Sequence, residues 1–173
     1  MKLMILESGA KARTVKNYLG KGWIVEACNG HVQDLPSGNG SKQRSKAMWA
    51  ANKGELPEPP WDWTDGAERV VNSILAKARK SGVEEVYIAT DPDREGEAIA
   101  WHVKEVLDEK KLLKDKAIER VVFNEITKKA VTHGIDNPRQ IEPLLVDVYM
   151  ARRALDYLAV SYTHLTLPTI CSV

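Results

Sequence analysis

The sequence predicts an α/β domain built on a mostly parallel four-stranded sheet, with helices on both faces. Two observations predict it. Short apolar runs of strand length alternate with longer stretches of helical period, the pattern of a sheet whose crossovers are helices. Each run also closes on turn-forming residues.

Lys2 to Leu6 (KLMIL) reads as a buried strand ending at Glu7-Ser8-Gly9. Ala10 to Gly20 spaces Ala12, Val15 and Leu19 along one helix face, with Gly20 as its stop. Trp23 to Ala27 (WIVEA) is the second strand and closes at Asn29-Gly30-His31. Residues 36–65 change character: PSGNGSKQ is turn-like and LPEPPWDW is rich in proline and tryptophan, so we expect an excursion, with a short helix near Ser45 to Ala51. Helical period resumes over Ala67 to Lys80 and stops at Ser81-Gly82, before a third strand from Val83 to Thr90. Glu95 to Asp108 is helical, with Ala98, Trp101, His102 and Val106 on one side. Ala117 to Phe123 is the fourth strand, Thr127 caps a short helix, and Arg139 to Val160 is a longer helix with Leu144, Val148, Ala151, Leu155 and Leu158 along a face.

At 173 residues with 43% hydrophobic and 28% charged residues, the chain is a globular domain of ordinary composition. A net charge of +1 excludes nucleic-acid binding by bulk attraction and leaves it to a local patch. Cys28 and Cys171 have neither metal-ligand spacing nor the numbers for a disulfide framework. No apolar stretch reaches membrane-spanning length, and MKLMILESG turns polar too early for a signal peptide, so a cytoplasmic protein without membrane contact is expected.

The chemistry concentrates in "ATDPDREGEAIAWHV", where Asp91, Asp93, Glu95 and Glu97 crowd together directly after a strand. One reading makes Asp93 a helix N-cap, with Glu95 and Glu97 favoured by the helix dipole. The other notes that Asp91 and Asp93 fall on the same side of an extended segment and that Glu95 on the first turn joins them. Like charges at that range need a proton, a partner such as Arg94, or a cation. Oxygen ligands at a strand end suit a hydrated Mg²⁺. An EF-hand is excluded because a strand precedes the motif and its twelfth position is His102. In open α/β sheets ligands sit beyond the carboxyl ends of the strands, where both Glu7 and the Asp91 group fall.

Other candidates carry two readings each. Glu7 is either an exposed helix-start acid or a functional one. His31 is a turn residue or a catalyst. Arg152-Arg153 with Asp156 form a helical ion pair or a phosphate grip. Trp49, Trp61 and Trp63 form a local cluster or stack on bases.

Together "ILESGAKARTVKNYLG", "NGHVQDLP", "ATDPDREGEAIAWHV", "VVFNEITKKAV" and "ARRALDYL" resemble the N-terminal Toprim domain of type IA DNA topoisomerases, of the topoisomerase I branch. The resemblance implies a Toprim domain over residues 1–160. It implies that Glu7 acts as general acid or base on a leaving 3′ oxygen, that Glu7, Asp91, Asp93 and Glu95 hold Mg²⁺, and that Lys11 offsets charge on the scissile phosphate, with Asp93 and Arg94 also in the catalytic set. It further implies that His31, Arg152, Arg153, Asp156 and Tyr157 touch a single-stranded segment of supercoiled DNA. A monomer associated with the nucleoid is implied too, completed by downstream topoisomerase domains.

Two departures stand out. Gly9 occupies a position where the family usually has proline. None of Tyr18, Tyr87, Tyr149, Tyr157 or Tyr162 has the context of the family's nucleophile, so the expected product is the inactive acid–metal half of an enzyme that cuts one strand through a 5′-phosphotyrosine to relax negative supercoils. Residues 161–173 match nothing in the family, and SYTHLTLPT resembles translated adaptor sequence; a non-native, disordered tail is expected there. The competing readings are another Toprim enzyme (a primase, or an OLD-type or M5-type nuclease) and a phosphate-binding regulator.

Overall fold

The computed structural model describes residues 1–35, 61–110 and 118–166, without the side chains of residues 157, 158 and 160–166. The expected helix near Ser45 to Ala51, together with Trp49, lies outside the described residues, as do residues 167–173.

Four parallel strands form the sheet: β1 (Lys2–Leu6), β2 (Trp23–Ala27), β5 (Glu85–Ala89) and β6 (Ile118–Arg120), in the order β2-β1-β5-β6. The two central strands, β1 and β5, are in register from Lys2↔Glu85 to Leu6↔Ala89. Alternation along β1 explains why nearly every residue in it is apolar. Leu3 and Ile5 face one layer, while Met4 and Leu6 face the other. The first layer is completed by α2 (Ala67–Lys80) and α3 (Arg94–Glu109), through Val71, Ile74, Leu75, Ile99 and Val103. The second is completed by α1 (Gly9–Leu19) and α4 (Lys128–Asp136), through Ala12, Val15 and Val131. The sheet is therefore covered on both faces, as the sequence predicts.

Local signals set the boundaries. Ser8 caps α1 through its side chain, and Gly20 ends it at φ 73°, a conformation that disfavours any residue with a Cβ. Thr127 caps α4, its hydroxyl accepting from the Ala130 N–H at 3.2 Å. The excursion returns by pairing rather than as plain loop. Two-residue strands β3 (Gln33–Asp34) and β4 (Asp62–Trp63) form a small antiparallel ribbon that periodicity is too short to reveal.

The last helix, α5 (Pro143–Thr166), differs from expectation on two points. Its predicted apolar stripe does not face the core, since Leu144, Val148 and Leu155 are exposed and the helix buries Val146 and Tyr149 instead. It also continues to Thr166, into the segment for which disorder is expected. No described helix is long and apolar enough to cross a membrane.

Candidate active site

Glu7 follows β1 and Thr90-Asp91 follow β5, and these neighbouring parallel strands end opposite each other at Leu6 and Ala89. Adjacent strands stand about 4.8 Å apart, so both acidic stretches leave the sheet at one rim, as predicted. The Glu7 turn is fixed by its carbonyl, which accepts from the Gly30 N–H at 2.9 Å. Asn29 beside it takes φ 62°, a left-handed conformation that asparagine tolerates. The Ser8 cap starts α1 at the rim and places Lys11 on its first turn. From there the Lys11 ammonium reaches the next strand and pairs with the Asp91 carboxylate.

The crowded acids are separated by partner. Asp91 takes Lys11. Asp93 is the N-cap of α3, its Oδ1 accepting from the Gly96 N–H at 2.7 Å. Glu95 takes His31 Nε2 at 2.8 Å. Glu97 is fully buried, paired with Arg120 Nε at 3.1 Å and with Arg139, and it also accepts from the Glu142 N–H at 3.1 Å. The expected convergence of Glu7, Asp91, Asp93 and Glu95 on one point is thus not what the side chains adopt. Among the described residues no three His, Cys, Asp or Glu side chains are grouped to hold a metal. Lys11, His31, Arg120, Arg139 and a helix N-terminus relieve part of the repulsion between these acids.

The donor set nevertheless fits Mg²⁺ in kind. Among the described residues the Glu7 carboxylate has no hydrogen-bond partner, and Asp91 and Asp93 each engage a single oxygen. Mg²⁺ commonly takes one or two protein carboxylates and completes its shell with water and substrate phosphate.

Two residues that sequence reasoning passed over build this rim. Arg120, fully buried on β6, donates from Nη1 to the Thr90 carbonyl and from Nη2 to the Asp91 carbonyl, both at 2.8 Å. The available signal was an arginine inside the strand-length run AIERVVF, where a charge turned into the interior requires partners. Gly96 is dictated by proximity, since a Cβ there would lie 2.1 Å from the Asp91 carbonyl oxygen. Thr90 ties the same turn, its hydroxyl donating to the Gly96 carbonyl at 2.5 Å.

Beside the rim, His31, Asp34, Arg94, Glu95, Tyr149, Arg152, Arg153 and Asp156 line a cavity of about 370 Å³. It gathers six of the residues singled out from the sequence and adds Asp34 and Tyr149. Arg153 is held by Asp34 through a fork, with Nε at 3.1 Å from Oδ1 and Nη2 at 2.6 Å from Oδ2. This bond raises the Arg153 pKa. Asp156, expected to position both arginines, forms among the described residues an ion pair with Arg152 alone, at 3.9 Å between exposed groups, which contributes little. Tyr149 stacks on His31 with ring centroids 5.5 Å apart. Burial, with Asp34 adding to it, pushes the Tyr149 hydroxyl up to about 12, so it stays a proton donor. Its spacing of three and four residues from Arg152 and Arg153 was the sequence signal for it. Tyr157 falls on α5, with its side chain outside the described set.

A family model described as the Toprim domain matches residues 2–126, from β1 through the turn before α4. The chain belongs to the Toprim family. The match takes in both acidic stretches, Lys11, His31 and Arg120, and it stops short of α5. Similarity to individual proteins runs further. DNA topoisomerase 1 of Rickettsia typhi is 49% identical over 159 residues, 91% of this chain and 19% of the relative. That of Rickettsia prowazekii is 50% identical over 159 residues, with the same coverage of 91% and 19%. Full-length topoisomerase I from Thermotoga maritima superposes with a TM-score of 0.67 at 38% identity, covering 90% of this Toprim chain and 24% of that one. The chain therefore spans about a fifth of the length of the curated relatives it matches.

Proposed function

We propose that this Toprim domain is the acid–base and phosphate-handling half of a type IA DNA topoisomerase. Such an enzyme cuts and rejoins one strand through a 5′-phosphotyrosine and so relaxes negative supercoils. The observation that carries the reading is Glu7 and the Asp91–Asp93 pair leaving neighbouring parallel strands at one rim, with Lys11 reaching across to Asp91. Glu7 exchanges the proton of the leaving 3′ oxygen. Lys11, half-released from Asp91, offsets charge on the scissile phosphate. Arg94, without a partner among the described residues, and Arg152 face the DNA backbone across the cavity. Arg153 is aimed by Asp34, and His31 is aimed by Glu95 and Tyr149.

Glu7, Asp91 and Asp93 would hold Mg²⁺, with Glu95 joining by release of His31. When bound, the ion supplies positive charge at a phosphodiester oxygen. We place the attacking tyrosine outside residues 1–173, which alone do not relax DNA.

The test is a chimera in which residues 1–158 replace the matching segment of the Thermotoga maritima topoisomerase I. Relaxation of supercoiled plasmid is expected, lost with Glu7→Gln or Asp93→Asn while the fold is kept. Mg²⁺-dependent nicking by residues 1–173 alone, without any protein–DNA adduct, would instead make the chain a Toprim nuclease.

A further inference from the structure

A second cavity, of about 510 Å³, lies at the edge of the sheet, where β2 has β1 on one side and, among the described residues, no strand on the other. It runs between α1 on one face and α2 on the other, with Val25 and Ala27 of β2 along its floor. Arg13 and Lys16 enter it from α1 and Arg69 from α2. All three are exposed, and none has a carboxylate partner among the described residues. The one acid in the groove, Glu26, is already taken by Lys77 at 2.7 Å. Three cations without a counter-ion therefore meet in one groove of a chain whose net charge is only +1. At one end the groove is formed by Gly9 and Asn29, which flank the Glu7 turn.

We propose that this edge groove binds the phosphate backbone of DNA, extending the path of the strand from the acidic rim along β2. The cations match phosphodiester charge, and an edge strand leaves backbone N–H groups unpaired that can donate to phosphate oxygens. The groove carries no aromatic side chain, so it has no means of stacking bases and reads charge rather than sequence. This proposal rests on DNA being the substrate.

The test is fluorescence anisotropy of a labelled single-stranded oligonucleotide with residues 1–173, in EDTA, between about 50 and 200 mM salt. Each of Arg13→Gln, Lys16→Gln and Arg69→Gln should weaken binding and lower the slope of log K against log salt by about 0.7. Arg13→Lys with Arg69→Lys should keep the parent slope, and Ser73→Lys, which adds a cation to the groove, should steepen it. If the parent binds DNA and the triple glutamine variant binds it with equal affinity and slope, the groove proposal is overturned. It is overturned equally if the triple variant merely self-associates through β2, since the cations would then only guard an edge. No binding by the parent at all would strike the DNA substrate itself, and the groove with it.

Discussion

Arg120 Nη2 lies 2.8 Å from the main-chain oxygen of Asp91, so a guanidinium buried beneath the sheet rim fixes the backbone that carries the acidic motif. The same side chain meets Glu97, which is 0% exposed, and the carbonyls of Ile88, Thr90 and Val121. Removing one member of a buried ion pair strands the other in a place water does not reach. Arg120→Met is expected to cost about 3–5 kcal/mol in urea unfolding. Glu97→Gln should cost a comparable amount, and the double change should cost less than the sum of the two. Strict additivity would mean that the network is not a unit.

Gly96→Ala places a Cβ 2.1 Å from the Asp91 oxygen, nearer than any real contact, so either the turn or the start of α3 must move. Gly82→Ala, at φ 60° with nothing within 4 Å of its added Cβ, gives a control for backbone strain alone. We expect Gly96→Ala to shift the amide signals of Thr90 to Glu95, and any activity of the topoisomerase chimera to fall sharply. Native-like signals through that turn would refute the steric argument.

The architecture was legible because it rests on patterns local to the chain. Four strand runs, four of the helices with their Gly20 and Thr127 boundaries, and the exit of Glu7 and Asp91 at one rim all follow from period and turn chemistry. What escaped depends on who sits opposite whom. Nothing in sequence spacing says that Glu95 turns to His31, that Arg153 turns to Asp34, or that Arg120 rises under Asp91 from a strand nearly thirty residues away. The crowding of the acids was visible; their dispersal among separate partners was not.

The exposed stripe on α5 makes a contrast between residues of similar apolarity. Leu155 is 67% exposed and Val148 51%, whereas Val146 on the opposite side is 4% exposed. Leu155→Gln and Val148→Gln should leave stability within about 0.5 kcal/mol of the parent. Val146→Ala should cost about 2 kcal/mol through lost burial and a cavity against α3. Urea midpoints measured side by side decide it, and a cost at Leu155 matching that at Val146 would mean that the stripe is covered in solution.

His102 supplies the pH dependence. Its ring is fully buried on α3 beside Trp61 and Trp101, each with its ring centroid 5.1 Å away, and among the described residues neither ring nitrogen has a hydrogen-bond partner. Burial, helped by the charge of His31, lowers its pKa from 6.5 to about 4. The unfolded chain therefore binds this proton at higher pH than the folded one, so folding stability is complete above pH 6.5 and declines as pH falls toward 4. Across that window the loss attributable to His102 is about 3 kcal/mol. Other groups titrate there too, so the comparison is parent against His102→Phe, which keeps a ring beside the tryptophans. The parent should lose that much more stability than the variant between neutral pH and pH 4, and parallel curves would show that the buried ring is not the group being titrated.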